Sequence, residues 1–235
     1  MYDTLAEVYD WLVPEVLLEP EGSVAAFETV VAELPAGARV LDCAAGTGLL
    51  AVGLALRGFD VTASDASAGM VERTRALAAE HGVKVRAAVR RWEDLEGGPF
   101  DAVFCVGNSI THAQDRRAAL AGMRRVVRDG GLLALTSRTW ERRWEDGEEV
   151  VERHGRRARV RRIWHVGDPP ALEVAVTFED DGTTHAERLE YRPFTHEELQ
   201  SDLLAAGFEP AASKFDPEVG RYLVTSRAKS SNASR

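Results

Sequence analysis

At 235 residues, the chain is long enough for one α/β domain with an elaboration and short for two such domains. Its apolar content of 45% and charged content of 29% are typical of a globular protein, and its net charge of −9 argues against a nucleic-acid substrate, because phosphate binding needs a basic face. Cys43 and Cys105 lie in apolar strand patterns, which favours buried hydrophobic roles over a disulfide or a metal site. The start is not signal-like and no apolar run approaches about 18 residues, so we expect a cytoplasmic protein with no membrane partner.

The first stretch, residues 2–16, predicts a helix because its apolar side chains recur at helical spacing. Its tyrosines, Tyr2 and Tyr9, could close over a ligand with their hydroxyls, or could pack this helix onto the rest of the domain. Ser23 is a typical N-cap residue and predicts a second helix that ends at Leu34.

The next hundred residues alternate between apolar runs and helical patterns. The predicted strands are residues 40–42, 59–65, 83–89, 100–106 and 132–136, and the predicted helices are residues 49–56, 67–82 and 118–127. Ser67 is the expected cap of the second of these helices. Strands that alternate with helices at this spacing predict a doubly wound, mostly parallel, Rossmann-like α/β sheet.

The pattern changes after Ser137. Residues 149–164, 172–178 and 185–191 have strand character and are joined by tight turns, which predicts an antiparallel β insertion over about residues 139–193, at the ligand edge of the sheet. Thr195 is the expected cap of a helix over 195–206, and residues 208–215 and 222–226 would add antiparallel strands at the sheet edge.

We therefore expect a single domain that consists of five parts. Its parts are N-terminal helices (1–34), a ligand-binding core (35–138), the antiparallel cap (about 139–193), a helix with edge strands (194–227) and a disordered tail (228–235).

A basic run, residues 153–162, raises the possibility of nucleic-acid contact. Its partial alternation fits a strand with one solvated face better, and acids further along the chain could pair with it across a sheet. The acids in question are Glu173, Glu179, Asp180, Asp181, Glu187 and Glu190. No nucleic-acid partner is expected.

A small-residue loop between the first strand and the following helix is the main functional signal. Gly46 and Gly48 begin a G-x-G-x-x-A pattern, in which backbone N–H groups face an adenosine-type ligand. Asp42, four residues before Gly46, distinguishes between two kinds of adenosine-type ligand. A dinucleotide would bring a repelling pyrophosphate next to this carboxylate, whereas S-adenosylmethionine brings a sulfonium and an ammonium and no phosphate.

Asp65 ends the second predicted strand, about 20 residues past the loop, where a carboxylate can bind both ribose hydroxyls. Both cofactors need that acid, so Asp65 supports an adenosine without choosing between them. The choice of S-adenosylmethionine depends on Asp42.

These motifs resemble those of class I S-adenosylmethionine-dependent methyltransferases. The segment from Asp42 to Gly48 resembles the first motif of that family, Asp65 its ribose acid, and residues 100–106 and 126–135 its later strand and helix-Gly-Gly-strand motifs. The resemblance implies the cofactor S-adenosyl-L-methionine, the product S-adenosyl-L-homocysteine, and an enzyme of the transferase class.

A narrower resemblance is to the glycine N-methyltransferase group. It depends on residues 106–112, on the spacing from Asp65 to Met70, on Arg91-Trp92-x-x-Leu95 and on Arg138. It implies that Ala44 and Val106 line the cofactor path, that Met70 and Trp92 lie against the adenine, and that Ser109 and His112 lie near the cofactor. Asn108 and Arg138 would face the substrate, with Arg138 holding its carboxylate.

The chain also departs from that group. Arg91 stands where the glycine enzymes carry Asn, and Thr139-Trp140-Glu141 replaces their Asn-Tyr-Asp. These differences argue against glycine itself as the acceptor.

The complete set of candidate residues is as follows. The expected cofactor site comprises Tyr9, Asp42, Ala44, Gly46, Gly48, Asp65, Ala66, Met70, Arg91, Trp92, Glu93, Val106, Ser109 and His112, and the expected substrate site comprises Tyr2, Asn108 and Arg138. No His or Cys cluster has metal-ligand spacing, so no metal is expected. Trp92 could instead be a core residue, His112 could bind a backbone carbonyl, and Arg138 could be a surface arginine.

Three functions remain open on the sequence. The first is N-methylation of a small amine or amino-acid-like acceptor, in which the protein mainly positions the reactants. The second is O-methylation of a natural product or sugar, with His112 as base. The third is a catalytically silent cofactor-binding regulator. Neither the acceptor nor the oligomeric state can be read from the sequence.

Overall fold

A seven-stranded sheet runs through the centre of the protein, with strand order β10-β11-β5-β4-β1-β2-β3. The computed structural model describes residues 9–13, 15–141, 145–153, 155–167, 170–180 and 183–230. The strands are β1 (Arg39–Asp42), β2 (Asp60–Asp65), β3 (Val85–Val89), β4 (Phe100–Cys105), β5 (Val127–Arg138), β10 (Ala212–Ser213) and β11 (Arg221–Arg227). The first five pair in parallel, and β11 joins β5 antiparallel. The predicted fold class is confirmed.

Six helices connect or flank these strands among the described residues. They are α1 (Pro20–Ala25), α2 (Glu28–Val31), α3 (Leu49–Leu56), α4 (Ala68–Glu80), α5 (Arg116–Val126) and α6 (His196–Ala205). Two predicted caps are confirmed. Ser67 Oγ accepts the Met70 N–H, and Thr195 forms a capping box with Glu198.

The prediction for the N-terminal region was wrong. Tyr2 lies outside the described residues, and the described part of the expected first helix forms short 3-10 turns, Tyr9–Leu12 and Glu15–Leu17. The second helix begins at Pro20, whose fixed φ suits the first helical position, so Ser23 is not its cap. It breaks before Phe27, whose ring packs edge-on against Phe104 at 6.0 Å.

A second, four-stranded antiparallel sheet has the order β6-β7-β8-β9 and fulfils the predicted insertion. Its strands are β6 (Gly147–Arg153), β7 (Arg156–His165), β8 (Ala171–Asp180) and β9 (Thr183–Tyr191). We call it the cap sheet. The segment expected to be one strand, 149–164, is a hairpin, because Gly155 adopts φ +71° and lets the chain reverse.

Two further strand predictions and the tail need correction. Of residues 208–215, only Ala212–Ser213 form a strand, while β5 begins five residues earlier than expected, where its pairing with β4 shifts register. Ala228 is buried and bridges to Phe208, and the Lys229 N–H donates to the Gly207 carbonyl at 2.9 Å. The chain is therefore ordered past residue 227, and residues 231–235 lie outside the described part.

The basic run lies on β7 of the cap sheet. Arg159 and Arg162 form ion pairs with Glu148 and Glu149, at 3.5 and 2.5 Å, on the neighbouring strand β6. These two acids were not among the expected partners, because the hairpin at Gly155 was not foreseen. Of the expected acids, Glu190 pairs with Arg192 at 2.7 Å, which is outside the basic run. The side chains of Glu179, Asp180, Asp181 and Glu187 lie outside the described part of the structure.

The core has two layers, one on each face of the central sheet. Phe100, Leu120 and Met123 belong to the layer beneath α5 and α6, and Leu54, Val61 and Phe104 belong to the layer beneath α1, α2 and α3. Cys43 and Cys105 are buried free thiols, as expected. Within the described ranges, no helix has both the length and the apolar character to span a membrane.

Helix α5 carries a glycine where the 3-10 turn Trp92–Asp94 docks on it. A Cβ at Gly122 would overlap the carbonyl oxygen of Trp92, a backbone atom that cannot rotate away. We predict that Gly122→Ala destabilises the protein by roughly 1–3 kcal/mol through overpacking, although alanine is intrinsically the better helix former. Chemical denaturation followed by circular dichroism measures the change.

The matched control is Ala121→Gly, one residue earlier on the exposed side of the same helix. It should cost about 1 kcal/mol from helix propensity alone. If Gly122→Ala left the free energy of unfolding unchanged or raised it, the docking of the turn would not depend on the close approach of Gly122 to the Trp92 carbonyl.

Candidate functional site

The glycine loop between β1 and α3 lies at the point where the sheet order reverses, between β1 and β4, at the carboxyl ends of the strands. Gly46 and Gly48 have φ of +54° and +92°, which L side chains rarely adopt. A Cβ on Gly48 would lie 2.9 Å from the Thr74 Cα, and the Thr74 hydroxyl donates to the Gly46 carbonyl at 3.0 Å. The loop is therefore held tightly against α4.

Asp65 holds this loop from the end of β2. Its carboxylate accepts the Gly46 N–H at 2.9 Å through Oδ2 and the Ser67 N–H at 2.9 Å through Oδ1. A carboxylate offers about four acceptor positions, so it can accept further hydroxyl donors. The loop contact was not foreseen, and the ribose contact stays a prediction.

Asp42 is a carboxylate in an apolar position. It is 1% exposed, and its Oδ1 has no hydrogen-bond partner among the described residues. Burial raises the pKa of Asp42 from 3.8 to about 7; an Ala44 backbone hydrogen bond opposes this rise and the nearby charge of Asp65 adds to it. A cationic ligand at Oδ1 would favour the ionised form.

The N-terminal turn covers the glycine loop and joins it to the cap sheet. The Tyr9 ring lies so close to Gly46 that a Cβ there would be 3.4 Å from Tyr9 Cε1. Trp11 is buried, donates its indole N–H to the Arg156 carbonyl at 3.1 Å, and packs edge-on against Phe178 at 5.1 Å. Burial, then the charge of Asp65, raises the pKa of Tyr9 to about 12, so its hydroxyl stays protonated.

The turn after β4 forms the opposite wall. Ser109 Oγ donates to the Val106 carbonyl at 2.7 Å, and Asn108 adopts a left-handed φ of +67°. Asn108 is buried and its Oδ1 accepts the backbone N–H of Arg138 at 2.8 Å. Asn108 thus fixes the end of β5, a role that the sequence did not indicate.

His112 contacts the cap sheet. Its Nδ1 lies 2.7 Å from the Glu190 carbonyl, which can only accept, so Nδ1 carries the proton in this contact and Nε2 the lone pair. Burial lowers the pKa of His112 from its ordinary 6.5, and the imidazole is neutral at pH 7. Its ring centroid lies 4.6 Å from that of Tyr191.

Tyr191, Trp140 and Arg221 were missed by the sequence reasoning. Tyr191 ends β9, and its ring centroid lies 5.9 Å from that of Trp140, which is 6% exposed. Burial raises the pKa of Tyr191, while the charges of Arg138 and Arg221 oppose that rise. Tyr191 could have been found from its position in the sequence, because it lies where the predicted insertion returns to the core.

The expected adenine side lies beyond β2 and β3. Met70 is buried, and the Trp92 indole N–H donates to the Cys43 carbonyl at 2.9 Å, while its ring packs against the core. Ala66, Arg91 and Glu93 are exposed. Ala66 and Arg91 line an open surface cavity of about 570 Å³, together with Val89 and Arg125.

No group of three or more His, Cys, Asp or Glu side chains in the described ranges is arranged to hold a metal ion. The described site contains the glycine loop, the buried Asp42 carboxylate, and His, Tyr and Arg side chains beside the cap sheet.

Comparison with known proteins agrees with this geometry. Residues 40–131, which include the glycine loop, Asp42 and Asp65, match the family model described as a methyltransferase domain. This segment is therefore similar to a methyltransferase domain. The structure of S-adenosylmethionine-bound CalS10, an amino pentose methyltransferase from Micromonospora echinaspora, matches 97% of this chain and 98% of its own, with a TM-score of 0.75 and 22% identity. The fold shared with that structure therefore includes the cap sheet.

Two relatives are similar to part of this chain in sequence. A glycine/sarcosine N-methyltransferase from Parasynechococcus marenigrum (strain WH8102) is 40% identical over 126 residues, which cover 51% of this chain and 45% of that protein. A ubiquinone biosynthesis O-methyltransferase from Xanthomonas axonopodis pv. citri (strain 306) is 40% identical over 106 residues, 44% of each chain. This chain thus spans less than half of either relative.

Removing the buried charge at Asp42 should stabilise the protein. Because the folded-state pKa of Asp42 is raised to about 7, wild-type stability falls as pH rises from about 4 to 7. We predict that Asp42→Asn raises the free energy of unfolding by about 2–4 kcal/mol at pH 8 and by less than half of that at pH 5. Urea denaturation at both pH values measures the difference.

Asp101→Asn is the matched control. The pKa of Asp101 is lowered, chiefly by its hydrogen bond from Arg128, so its ionised form favours the folded state. Its replacement should stabilise the protein at neither pH. If Asp42→Asn behaved like Asp101→Asn, the Asp42 carboxylate would not be the strained group described above.

Proposed function

We propose that this protein is an S-adenosylmethionine-dependent methyltransferase acting on a small-molecule acceptor. The observation that carries the proposal is the buried Asp42 carboxylate, with Oδ1 unpartnered among the described residues, at the start of a glycine loop whose two glycines adopt positive φ. A cation is the natural partner for this oxygen, and a phosphate is not. The matched methyltransferase domain supports the same cofactor.

The residues present fit that cofactor. Gly46 and Gly48 add no side chains of their own to its path, although the Tyr9 ring lies over Gly46, and the Asp65 carboxylate can accept further hydrogen bonds from ribose hydroxyls. Asp42 would face the positively charged methionine part. We assign Ala44, Val106 and Ser109 to the cofactor path and Ala66, Met70, Arg91, Trp92 and Glu93 to the adenine side.

We further propose that the N-terminal turn and the cap sheet together enclose the acceptor. Tyr9 lies over the glycine loop, and Trp11 attaches the same turn to β7 and β8. Enclosure excludes water and aligns an acceptor lone pair with the methyl group, which can lower the barrier by several kcal/mol. Bound S-adenosylmethionine supplies a methyl group on a positively charged sulfur, whose departure needs no acid.

N-methylation of an amine or amino-acid-like acceptor is our leading assignment. Asn108 and Arg138 would face such an acceptor, and the N-methyltransferase relative and the amino pentose methyltransferase structure support an amine. An amine must lose its ammonium proton before it attacks, and it can lose that proton to water.

O-methylation is the second candidate, and the contact of His112 with Glu190 favours it. The contact holds the neutral tautomer with its lone pair on Nε2, which is the form that a hydroxyl acceptor needs as a base. The similarity to an O-methyltransferase also supports this candidate. A silent cofactor-binding regulator would bind the cofactor and methylate no acceptor.

Calorimetric titration tests the cofactor assignment. We predict saturable binding of S-adenosylmethionine and S-adenosylhomocysteine to the wild type, weakened by roughly 1–3 kcal/mol in Asp65→Ala through the loss of hydrogen bonds. Asp60→Asn, at the exposed opposite end of β2, is the control and should bind like the wild type. No binding to the wild type would overturn the proposed function, and unchanged binding to Asp65→Ala would remove the ribose assignment.

His112→Ala separates the two reactions once an acceptor is found in a screen of amines and hydroxyl compounds. If His112 is the base for a hydroxyl, turnover should fall by 10²–10⁴-fold without loss of cofactor affinity. For an amine that loses its proton to water, the loss should be less than tenfold. His112→Asn, which can still donate to Glu190, controls for the position of β9.

In the base-dependent case the pH profile gives a further check. Because burial lowers the pKa of His112 from 6.5, the wild-type rate at saturating S-adenosylmethionine should remain high as pH falls to 6.5 and decline only below it. A rate that already declines between pH 8 and 7 would contradict the neutral His112.

A further inference from the structure

Two arginines lie side by side at the carboxyl end of the central sheet. Arg138, the last residue of β5, pairs in register with Arg221, the first residue of β11. Residues directly opposite in an antiparallel pair project from the same face, with Cβ atoms about 4.5–5.5 Å apart. The Thr139 N–H donates to the Gly220 carbonyl at 3.2 Å, and Asn108 holds the other side of the Arg138 backbone. Backbone pairing therefore fixes the two positions next to each other.

Both side chains carry a positive charge, and like charges directly opposite in a sheet repel each other. Burial lowers the pKa of Arg138, Tyr191 opposes that shift, and the positive charges of Arg221 and Arg162 add to it. Arg162 is paired with Glu149, whereas Arg221 is exposed and has no ion pair within the described part of the chain. The Arg221 guanidinium is therefore accessible to an anion.

Two tyrosine hydroxyls belong to the same cluster. Arg221 lies near enough to both Tyr9 and Tyr191 to shift their pKa values downward, against a larger upward shift from burial. Both phenols therefore stay protonated and can donate hydrogen bonds. The cluster thus combines two guanidinium groups and two hydroxyls between the N-terminal turn and the cap sheet.

We propose that Arg221 is a specificity-determining residue that, together with Arg138, binds an oxyanion on the methyl acceptor, with the Tyr191 hydroxyl as a further donor. The inference rests on the proposed function and narrows its substrate class to amines or hydroxyl compounds that carry a carboxylate or a phosphate. Guanidinium groups bind both anions in bidentate geometry, and a bound anion removes the repulsion between the two arginines. The resemblance to the glycine enzymes involves Arg138 alone.

The test uses the full chain saturated with S-adenosylhomocysteine, titrated with sodium acetate and separately with sodium phosphate at constant ionic strength. Nitrogen-15 NMR of the arginine Nε–H groups reports binding, and Arg138→Lys and Arg221→Lys assign the two signals. In the wild type both signals should shift and saturate with at least one of the two anions. In Arg221→Gln the apparent Kd for that anion should rise at least tenfold, with Arg221→Lys intermediate because it keeps the charge without the bidentate geometry.

Arg227→Gln is the matched control, because Arg227 lies on the same strand and face but at the far end, paired with Glu33. It removes one positive charge and should leave anion binding unchanged. Binding of acetate alone indicates a carboxylate acceptor, and binding of phosphate indicates a phosphorylated one.

Three results would overturn the proposal. They are no saturable shift with either anion, an anion Kd in Arg221→Gln equal to that in Arg227→Gln, and a tenfold loss of S-adenosylhomocysteine affinity in Arg221→Gln. The last would place Arg221 on the cofactor's own carboxylate instead. If the wild type did not bind S-adenosylhomocysteine, the proposed function itself would be overturned. That result would be seen before any anion is added, so it is distinguishable from failure of the anion proposal.

Discussion

Asp42 lies at the end of β1 with both neighbouring strands in place, so its carboxylate is withdrawn from water by the same sheet that forms the core. A buried carboxylate with one unpartnered oxygen is costly unless a positive charge or a proton joins it. Because its pKa is raised to about 7, the Asp42 carboxyl of the ligand-free protein takes up a proton from solvent near neutral pH. The ligand-free site is therefore under electrostatic strain, which a cationic ligand would relieve.

The segments around Asp42 are connected to one another by direct contacts. Asp65 orders the glycine loop, so the polar groups that face a cofactor are set before it arrives. The N-terminal turn connects that loop to the cap sheet through Tyr9 and Trp11, and His112 and Tyr191 connect the cap sheet to the turn after β4. The proposed cofactor and acceptor regions are thus linked by direct contacts, which suits a reaction that depends mainly on alignment.

Several local signals were predictable from the sequence, although the Ser23 cap and the turn at Gly155 were not. The glycine loop, the Ser67 cap and the Thr195 capping box each depend on a few neighbouring residues, and each was found where the pattern predicts it. Long-range pairings were not predictable. Nothing in the sequence reveals that Arg221 stands opposite Arg138, that Trp11 reaches Arg156, or that Asn108 holds the end of β5, because these contacts depend on strand register and chain path.

Proton release on cofactor binding tests the central claim, the pairing of Asp42 with a cation, most directly. S-adenosylmethionine is titrated into the protein by calorimetry at pH 6 in buffers of different ionisation enthalpy, for the wild type and for Asp42→Asn. At pH 6 the Asp42 carboxyl, with its pKa of about 7, is mostly protonated, so the wild type should release on the order of one proton and the variant none. Tight wild-type binding without proton release, or equal release by the variant, would contradict the role of Asp42.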